Sequence, residues 1–355
     1  MSVDLAQCGA LIEALPDPAL LVSTERRILL ANAAARDLFG APLVGALASA
    51  CLRQPEAAAA LERALVALDS AAPTQPQEAR FIQTTPTRES VLRLTASPLA
   101  PQAGLAAVLV SLRDISHVEE AEQQRRDFVA NVSHEMRSPL TVLAGFIETL
   151  KGPAKDDPTA RAQFLDIMER EAQRMTRLVA DLLSLSRVEG EEKVRPRTLV
   201  SLSEILRATL AALRPQTDEA GLTVEFRDLP EAPSIPGDRD QLVQVFHNLV
   251  ENALKYGASG NRIEITLDRL ETLPGVNGPV LKACVRDHGD GIDPLHLPRL
   301  TERFYRVDGH RSRAMGGTGL GLAIVKHIVN RHRGRLSIRS VRGEGSTFCI
   351  ALPIT

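Results

Sequence analysis

Between residues 128 and 185 the apolar side chains fall at helical spacing in two long runs. Phe128, Val132, Met136, Leu140, Leu143, Ile147 and Leu150 recur at steps of three and four. After a break containing Gly152, Pro153 and Pro158, the pattern resumes through Phe164, Met168, Met175, Val179, Leu182 and Leu185, and ends near Gly190. Stripes of this period belong to amphipathic helices. Two of them joined by a short loop make an antiparallel hairpin. One hairpin buries little by itself, so a second copy is expected to cover the stripes and complete a four-helix bundle.

The flanks read differently. With 355 residues the chain is long enough for two or three domains. Residues 1–116 suggest a small α/β module, with strand-like runs at 19–22 and 105–112. Between them lie an Ala-rich helical stretch at 43–68 and a Pro-containing loop at 73–76. Residues 117–127, including VEEAEQQRR, are charged and helix-favouring, as a rigid connector would be. The hairpin follows over 128–190, and the polar segment EGEEKVRPRTLV at 189–200 marks a boundary. From 200 to 355, helices at about 203–213, 239–256 and 320–332 alternate with strand-like runs at 222–226, 263–267, 280–285, 335–340 and 347–352. That alternation predicts helices laid against a mixed sheet, an α/β sandwich. There is no internal repeat.

Composition narrows the function. The chain is 44% hydrophobic and 24% charged, with a formal net charge of −2, which gives neither nucleic acid nor a bilayer a general attraction. Trp is absent and Tyr256 and Tyr305 are the only tyrosines, so no stacking platform for single strands is expected. Cys8, Cys51, Cys284 and Cys349 are scattered and form no CxxC pair, a pattern suited to a reducing compartment and without metal-site spacing. No run approaches the roughly 18 apolar residues of a membrane span, and the acidic Asp4 argues against a signal peptide. The expectation is a cytoplasmic protein, tethered to membranes only through partners.

His134 lies nearly opposite the first stripe and is expected to face solvent. A lone helix histidine is more often a plain surface residue. Two neighbours add interest. Glu135 can take a proton from one imidazole nitrogen while the other attacks. Pro139 deletes an amide donor within the helical pattern and presses on the Glu135 carbonyl, at a cost of about 3 kcal/mol. His134-Glu135 opens like the zinc motif HExxH, but position 138 is Ser and the second ligand is missing.

Three clusters in the last third suit a nucleotide. Asn248 and Asn252 are one helical turn apart, with Lys255 and Tyr256 close behind. Amide oxygens can hold Mg²⁺ without adding anionic charge, although such a pair is as often a capping network. Asp287-His288-Gly289-Asp290-Gly291-Ile292 follows a strand-like run, and a carboxylate there can accept from an exocyclic amine. Gly316-Gly317-Thr318-Gly319-Leu320-Gly321 precedes a helix, whose N-terminal amides attract phosphate. Each is weak alone. GxxxxGK[ST] does not occur, and Ala323-Ile324-Val325-Lys326 imitates the protein-kinase strand lysine without HRD or DFG.

In this order the segments resemble the boxes of bacterial two-component sensor histidine kinases. FVANVSHEMRSPL at 128–140 is similar to the phosphoacceptor H-box, NLVENALKY at 248–256 to the N-box, DHGDGI at 287–292 and GGTGLGL at 316–322 to the two glycine boxes, and RFYRVD at 303–308 to the F-box. The resemblance runs from about residue 118 to the C-terminus. It implies a dimeric bundle carrying the histidine, a Bergerat-type ATP domain, ATP and Mg²⁺ as ligands, and the receiver domain of a response regulator as partner. His134 is then the phosphoryl acceptor and Glu135 the acid/base. Asn248 and Asn252 hold the metal and phosphates. Lys255, Tyr256, Arg306 and the loop Gly317, Thr318, Gly319, Leu320 and Gly321 surround the nucleotide. Asp287, with Gly289 and Gly291, reads adenine, supported by Thr347, and a mobile lid covers 300–316. Ser138 stands where many relatives have the Thr that positions water for dephosphorylating the partner.

Residues 1–116 resemble a PAS sensor domain, on Leu15-Pro16-Asp17-Pro18, Asn32, Phe39-Gly40 and the exit Asp114-Ile115-Ser116. LTVLAGFIETL at 140–150 is similar to the phosphate-regulon sensor subgroup. Two alternatives remain beside the autokinase. One is a non-catalytic PAS-and-bundle scaffold, and the other a gyrase-like ATPase in which His134 is incidental.

Overall fold

The computed structural model describes residues 5–40, 42–68, 75–84, 89–99, 106–192, 194–308 and 316–354. The chain divides into two compact units, Met1–Val129 and Ala130–Thr355.

In the first unit a five-stranded antiparallel sheet has the order β2-β1-β5-β4-β3. Its strands are β1 (Ala19–Ser23), β2 (Ile28–Ala31), β3 (Gln77–Thr84), β4 (Glu89–Leu99) and β5 (Ala107–Asp114). Helix α1 (Leu5–Glu13) precedes them, and α2 (Ala33–Phe39) and α3 (Pro55–Leu68) lie between β2 and β3. Ala57, Ala60, Leu61, Ala64 and Leu65 of α3 join Leu20, Val22, Leu94, Val110 and Leu112 in one apolar core. The Ala-rich helix expected over 43–68 begins only at Pro55. Gly45 has φ +87°, and a proline fits the first turn of a helix but not its interior. The expected strand at 105–112 runs from Ala107 to Asp114; residue 105 lies outside the described residues, as do 73 and 74 of the expected loop. Asn32 is buried and ties the entrance together. Its Oδ1 accepts from the amides of Ala19 and Ala35, both at 2.9 Å, and its Nδ2 donates to the carbonyls of Leu15 and Asp17.

Helix α4 (Ser116–Lys151) begins in the first unit and runs unbroken through Pro139. α5 (Pro158–Glu191) opens with Pro158 in its first turn. The Asp157 carboxylate caps it by accepting from the amides of Thr159 and Ala160. Phe146 and Phe164 meet across the hairpin with ring centroids 4.8 Å apart. Much of the apolar surface stays uncovered. Leu140, Ile147, Leu165, Val179 and Leu183 are between 41% and 66% exposed. Among the described residues no helix is long and apolar enough to cross a membrane.

The rest of the second unit is an α/β sandwich. Short strands β6 (Leu199–Val200) and β8 (Ile235–Pro236) pair at its entrance, beside α6 (Leu202–Glu219). The main sheet runs β11-β12-β10-β9-β7 and comprises β7 (Thr223–Arg227), β9 (Arg262–Leu270), β10 (Val280–Asp287), β11 (Arg335–Val341) and β12 (Gly345–Pro353). Only the β7/β9 pair is parallel, so the sheet is mixed. α7 (Arg239–Tyr256) and α8 (Gly321–Arg331) pack their apolar sides, including Phe246, Leu249, Ile324 and Ile328, into the core. Along β10 the buried Ala283, Val285 and Asp287 alternate with the less buried Lys282, Cys284 and Arg286, as the strand period of two requires. The reading of four scattered cysteines is corrected here. Cys284 and Cys349, 65 residues apart in sequence, are register partners on β10 and β12 and form a disulfide, with Cα atoms 4.0 Å apart.

Candidate nucleotide site and phosphoacceptor helix

A cavity of about 540 Å³ opens between α7, the turn after β10, the glycine segment before α8, and α5. That is the size of a ligand pocket. Asn248, Asn252, Lys255, Tyr256, Asp287, Gly291, Arg306, Gly317, Thr318, Gly319 and Gly321 all line it, so residues from every predicted cluster converge on one space.

α7 supplies the first wall because its faces are segregated. Leu242, Val245, Leu249 and Ala253 bury one side, leaving Asn248, Asn252 and Lys255 along the other. The Asn248 amide nitrogen donates to the Gly321 carbonyl at 3.3 Å, which frees the side-chain oxygen for another ligand. Lys255 Nζ is 2.8 Å from Glu251 Oε1.

Asp287 ends β10 and is 4% exposed. Its Oδ1 accepts from the amides of Gly289 at 3.0 Å and Ser346 at 3.1 Å, leaving Oδ2 without a protein hydrogen bond among the described residues. Burial pushes this carboxyl above the usual range, and the two backbone donors oppose that shift. The turn after it requires glycine. A Cβ at Gly289 would fall 2.3 Å from the Tyr256 carbonyl oxygen, so Gly289 backs the pocket rather than lining it.

Gly319 has φ +74°, and a Cβ there would lie 2.9 Å from the Phe304 Cα. The loop therefore folds tightly against the segment carrying Arg306 and leads straight into α8. That helix has no side-chain cap at its N-terminus, so its first-turn amides remain available to an anion. Leu320 is fully buried beneath the loop. Of the expected lid at 300–316, residues 309–315 lie outside the described residues.

Thr347 is placed differently from the expectation. It pairs with Arg286 and Arg339 on the outer face of the sheet, whereas Ser346 turns inward, lines the cavity and bonds Asp287. The period of two along β12 decides which of the adjacent hydroxyl residues meets the pocket. Asp181 and Arg177 of α5 also line it and carried no sequence signal, since their helix belongs to the hairpin. Thr318 Oγ1 donates to Asp181 Oδ2 at 2.7 Å, and burial raises the Asp181 carboxyl.

His134 and Ser138 are exposed on α4 and do not line the cavity. Glu135 joins helix and pocket. Arg174 donates to its Oε2 at 2.6 Å, Arg306 donates to both its oxygens at 3.3 and 3.1 Å, and Arg306 also donates to the Thr318 carbonyl at 2.8 Å.

Three family models match. They are "Histidine kinase-, DNA gyrase B-, and HSP90-like ATPase" over residues 237–355, "His Kinase A (phospho-acceptor) domain" over 124–191, and "PAS fold" over 12–120. The phosphate regulon sensor protein PhoR of Pseudomonas aeruginosa is 43% identical over 243 residues, covering 68% of this chain and 52% of that protein. The sensor protein kinase WalK of Staphylococcus aureus is 36% identical over 265 residues, 74% of this chain and 42% of that protein. The chain thus spans about half the length of these curated relatives. The crystal structure of the histidine kinase ThkA in complex with the response regulator TrrA matches in fold with a TM-score of 0.51, 22% identity and 98% of each chain covered.

Fold and site define the class as an ATP-using α/β sandwich joined to a phosphoacceptor-type helical hairpin. The chain belongs to the two-component sensor histidine kinase family, with a PAS fold at its N-terminal end.

Proposed function

We propose that the protein transfers the γ-phosphoryl group of ATP to His134 and then to an aspartate in the receiver domain of a response regulator. The observation that carries this reading is the Arg306 bridge. One guanidinium lines the nucleotide cavity and grips Glu135, the residue beside the acceptor.

In the proposed step an unprotonated ring nitrogen of His134 attacks the terminal phosphorus, forming a P–N bond as the P–O bond to ADP breaks. Glu135 takes the proton from the other ring nitrogen. Asp287 Oδ2 accepts from the adenine amine, while the glycine loop and the first turn of α8 receive phosphate oxygens. The side-chain oxygens of Asn248 and Asn252 suit Mg²⁺, which spreads charge over the phosphates when bound. Two copies pair through the uncovered stripes of the hairpin, and the exposed Ser138 hydroxyl positions water for dephosphorylating the partner.

His134→Ala tests the reading. It is expected to abolish acid-labile protein labelling from γ-labelled ATP while nucleotide affinity stays within about twofold. Labelling that survives in this variant would reject His134, and steady ATP hydrolysis without a phosphoprotein would favour the gyrase-like alternative. The likeness to PhoR favours a phosphate-responsive role. Phosphotransfer profiling across the host's receiver domains tests it, with preferential transfer to a phosphate-regulon receiver expected.

A further inference from the structure

We propose that Cys284 and Cys349 are a thiol–disulfide site that hydroperoxides oxidise and dithiols reduce, and that its state sets how tightly the neighbouring pocket holds a nucleotide. The coupling rests on the nucleotide reading above; the cysteine chemistry does not.

The pair is built by register. The two residues face each other across adjacent antiparallel strands, with Cα atoms 4.0 Å apart, as in a non-hydrogen-bonded pair whose side chains lie closest. The sulfurs can therefore join without moving either strand out of the sheet. Cys284 is half-buried on the face opposite the helices, and Cys349 is 8% exposed. Period-two alternation puts Lys282 and Arg286 on the same face, on either side of Cys284. Arg339 pairs with Thr347, two residues from Cys349 on that face. The register partners of Lys282 and Arg286 on β9 are Asp268 and Glu264. The thiolate of a cysteine is its reacting form.

The same two strands carry the pocket floor. Asp287 lies three residues beyond Cys284, and Ser346 three residues before Cys349. The Ser346 amide reaches Asp287 Oδ1 at 3.1 Å. A covalent link at one point of the ladder holds the strands in register at the other, so the carboxylate is positioned before the ligand arrives.

Oxidation by hydrogen peroxide balances without further reagents. The Cys284 thiolate attacks one peroxide oxygen, the O–O bond breaks, and a sulfenic acid and hydroxide form. The Cys349 thiolate then attacks that sulfur, the S–S bond forms, and a second hydroxide leaves. The two thiol protons convert both hydroxides to water, and two electrons have passed from the thiols to the peroxide. A small dithiol reverses the reaction by exchange and becomes a disulfide itself.

The test uses the full chain after dithiothreitol and after one equivalent of hydrogen peroxide. Differential alkylation with peptide mapping reads the thiols, and calorimetry reads ATP binding. In dithiothreitol all four cysteines are expected to alkylate. After peroxide the Cys284 and Cys349 peptides should be recovered cross-linked, and ATP should bind at least threefold more tightly than in the reduced state. Cys349→Ser should leave Cys284 as a dimedone-reactive sulfenic acid and make ATP affinity independent of redox state. Continued alkylation of Cys284 and Cys349 after peroxide overturns the site, and equal ATP affinity of the two states overturns the coupling. Failure to bind ATP in both states would count against the nucleotide pocket and against the coupling, while the alkylation pattern would still decide the cysteine pair.

Discussion

Arg306 and Glu135 are 171 residues apart in the chain, yet a guanidinium nitrogen of one lies 3.1 Å from a carboxylate oxygen of the other. The Arg306 side chain is 8% exposed, and its Nε is buried without a hydrogen-bond partner among the described residues. The carboxylate is therefore the ion partner of a mostly buried guanidinium, which the Thr318 carbonyl also holds. The bridge holds the acid/base candidate beside His134 in one defined place.

Glu135→Gln should keep the packing and remove the proton acceptor. The rate of His134 labelling is expected to fall by about 100-fold or more, with ATP affinity within about twofold of the parent. Rapid-quench labelling at saturating ATP measures the first and calorimetry the second. Unchanged labelling would assign the proton to another group.

Asp287→Asn separates recognition from stability. The amide oxygen still accepts from Gly289 and Ser346, but the new amine opposes the adenine amine, so ATP affinity is expected to fall about tenfold or more. Burial raises the folded-state pKa of Asp287 above its unfolded value. Ionisation is therefore penalised in the fold; the penalty grows as pH rises from the unfolded value to the raised one and is complete above it. The variant should melt no lower than the parent at pH 7.5, as thermal denaturation will show.

His332 supplies a pH dependence of the opposite direction from the same cause, burial. It is 1% exposed, its Nε2 accepts from the Asp238 amide at 3.0 Å, and its Nδ1 donates to the Ile328 carbonyl at 2.8 Å. Burial lowers its pKa from 6.5, so the neutral ring belongs to the fold. The stabilisation is complete above 6.5 and declines as pH falls below it towards the folded value, by at most about 1.4 kcal/mol per pH unit. Melting curves between pH 5 and 7.5 should show a slope that His332→Gln flattens, since glutamine can both accept and donate there.

Ile147 and Leu165 are 41% and 51% exposed on the hairpin. Ile147→Asp with Leu165→Asp should convert a dimer to a monomer in sedimentation equilibrium and leave the melting of the ATP domain in place. A dimeric double variant would move the interface elsewhere.

Much of the site was readable because its constraints are local. Asn248 and Asn252 share a helix face through their spacing alone, and Gly319 and Gly289 mark places where a Cβ has no room. Ser346 was not readable as the partner of Asp287, because choosing between it and Thr347 requires the register of β12 against β10. Asp181 was hidden for a related reason. It meets Thr318 only when a helix of the hairpin packs beside the glycine loop.

By itself the sequence determined the two-stripe hairpin, the sandwich, and which short segments of the last third line one cavity, since helical period, strand period and glycine sterics act between near neighbours. Tertiary structure alone decided that Arg306 grips Glu135, that Ser346 rather than Thr347 faces the pocket, and that Cys284 meets Cys349. These are pairings between distant parts of the chain. Sheet register and helix packing set them, and no local spacing encodes either.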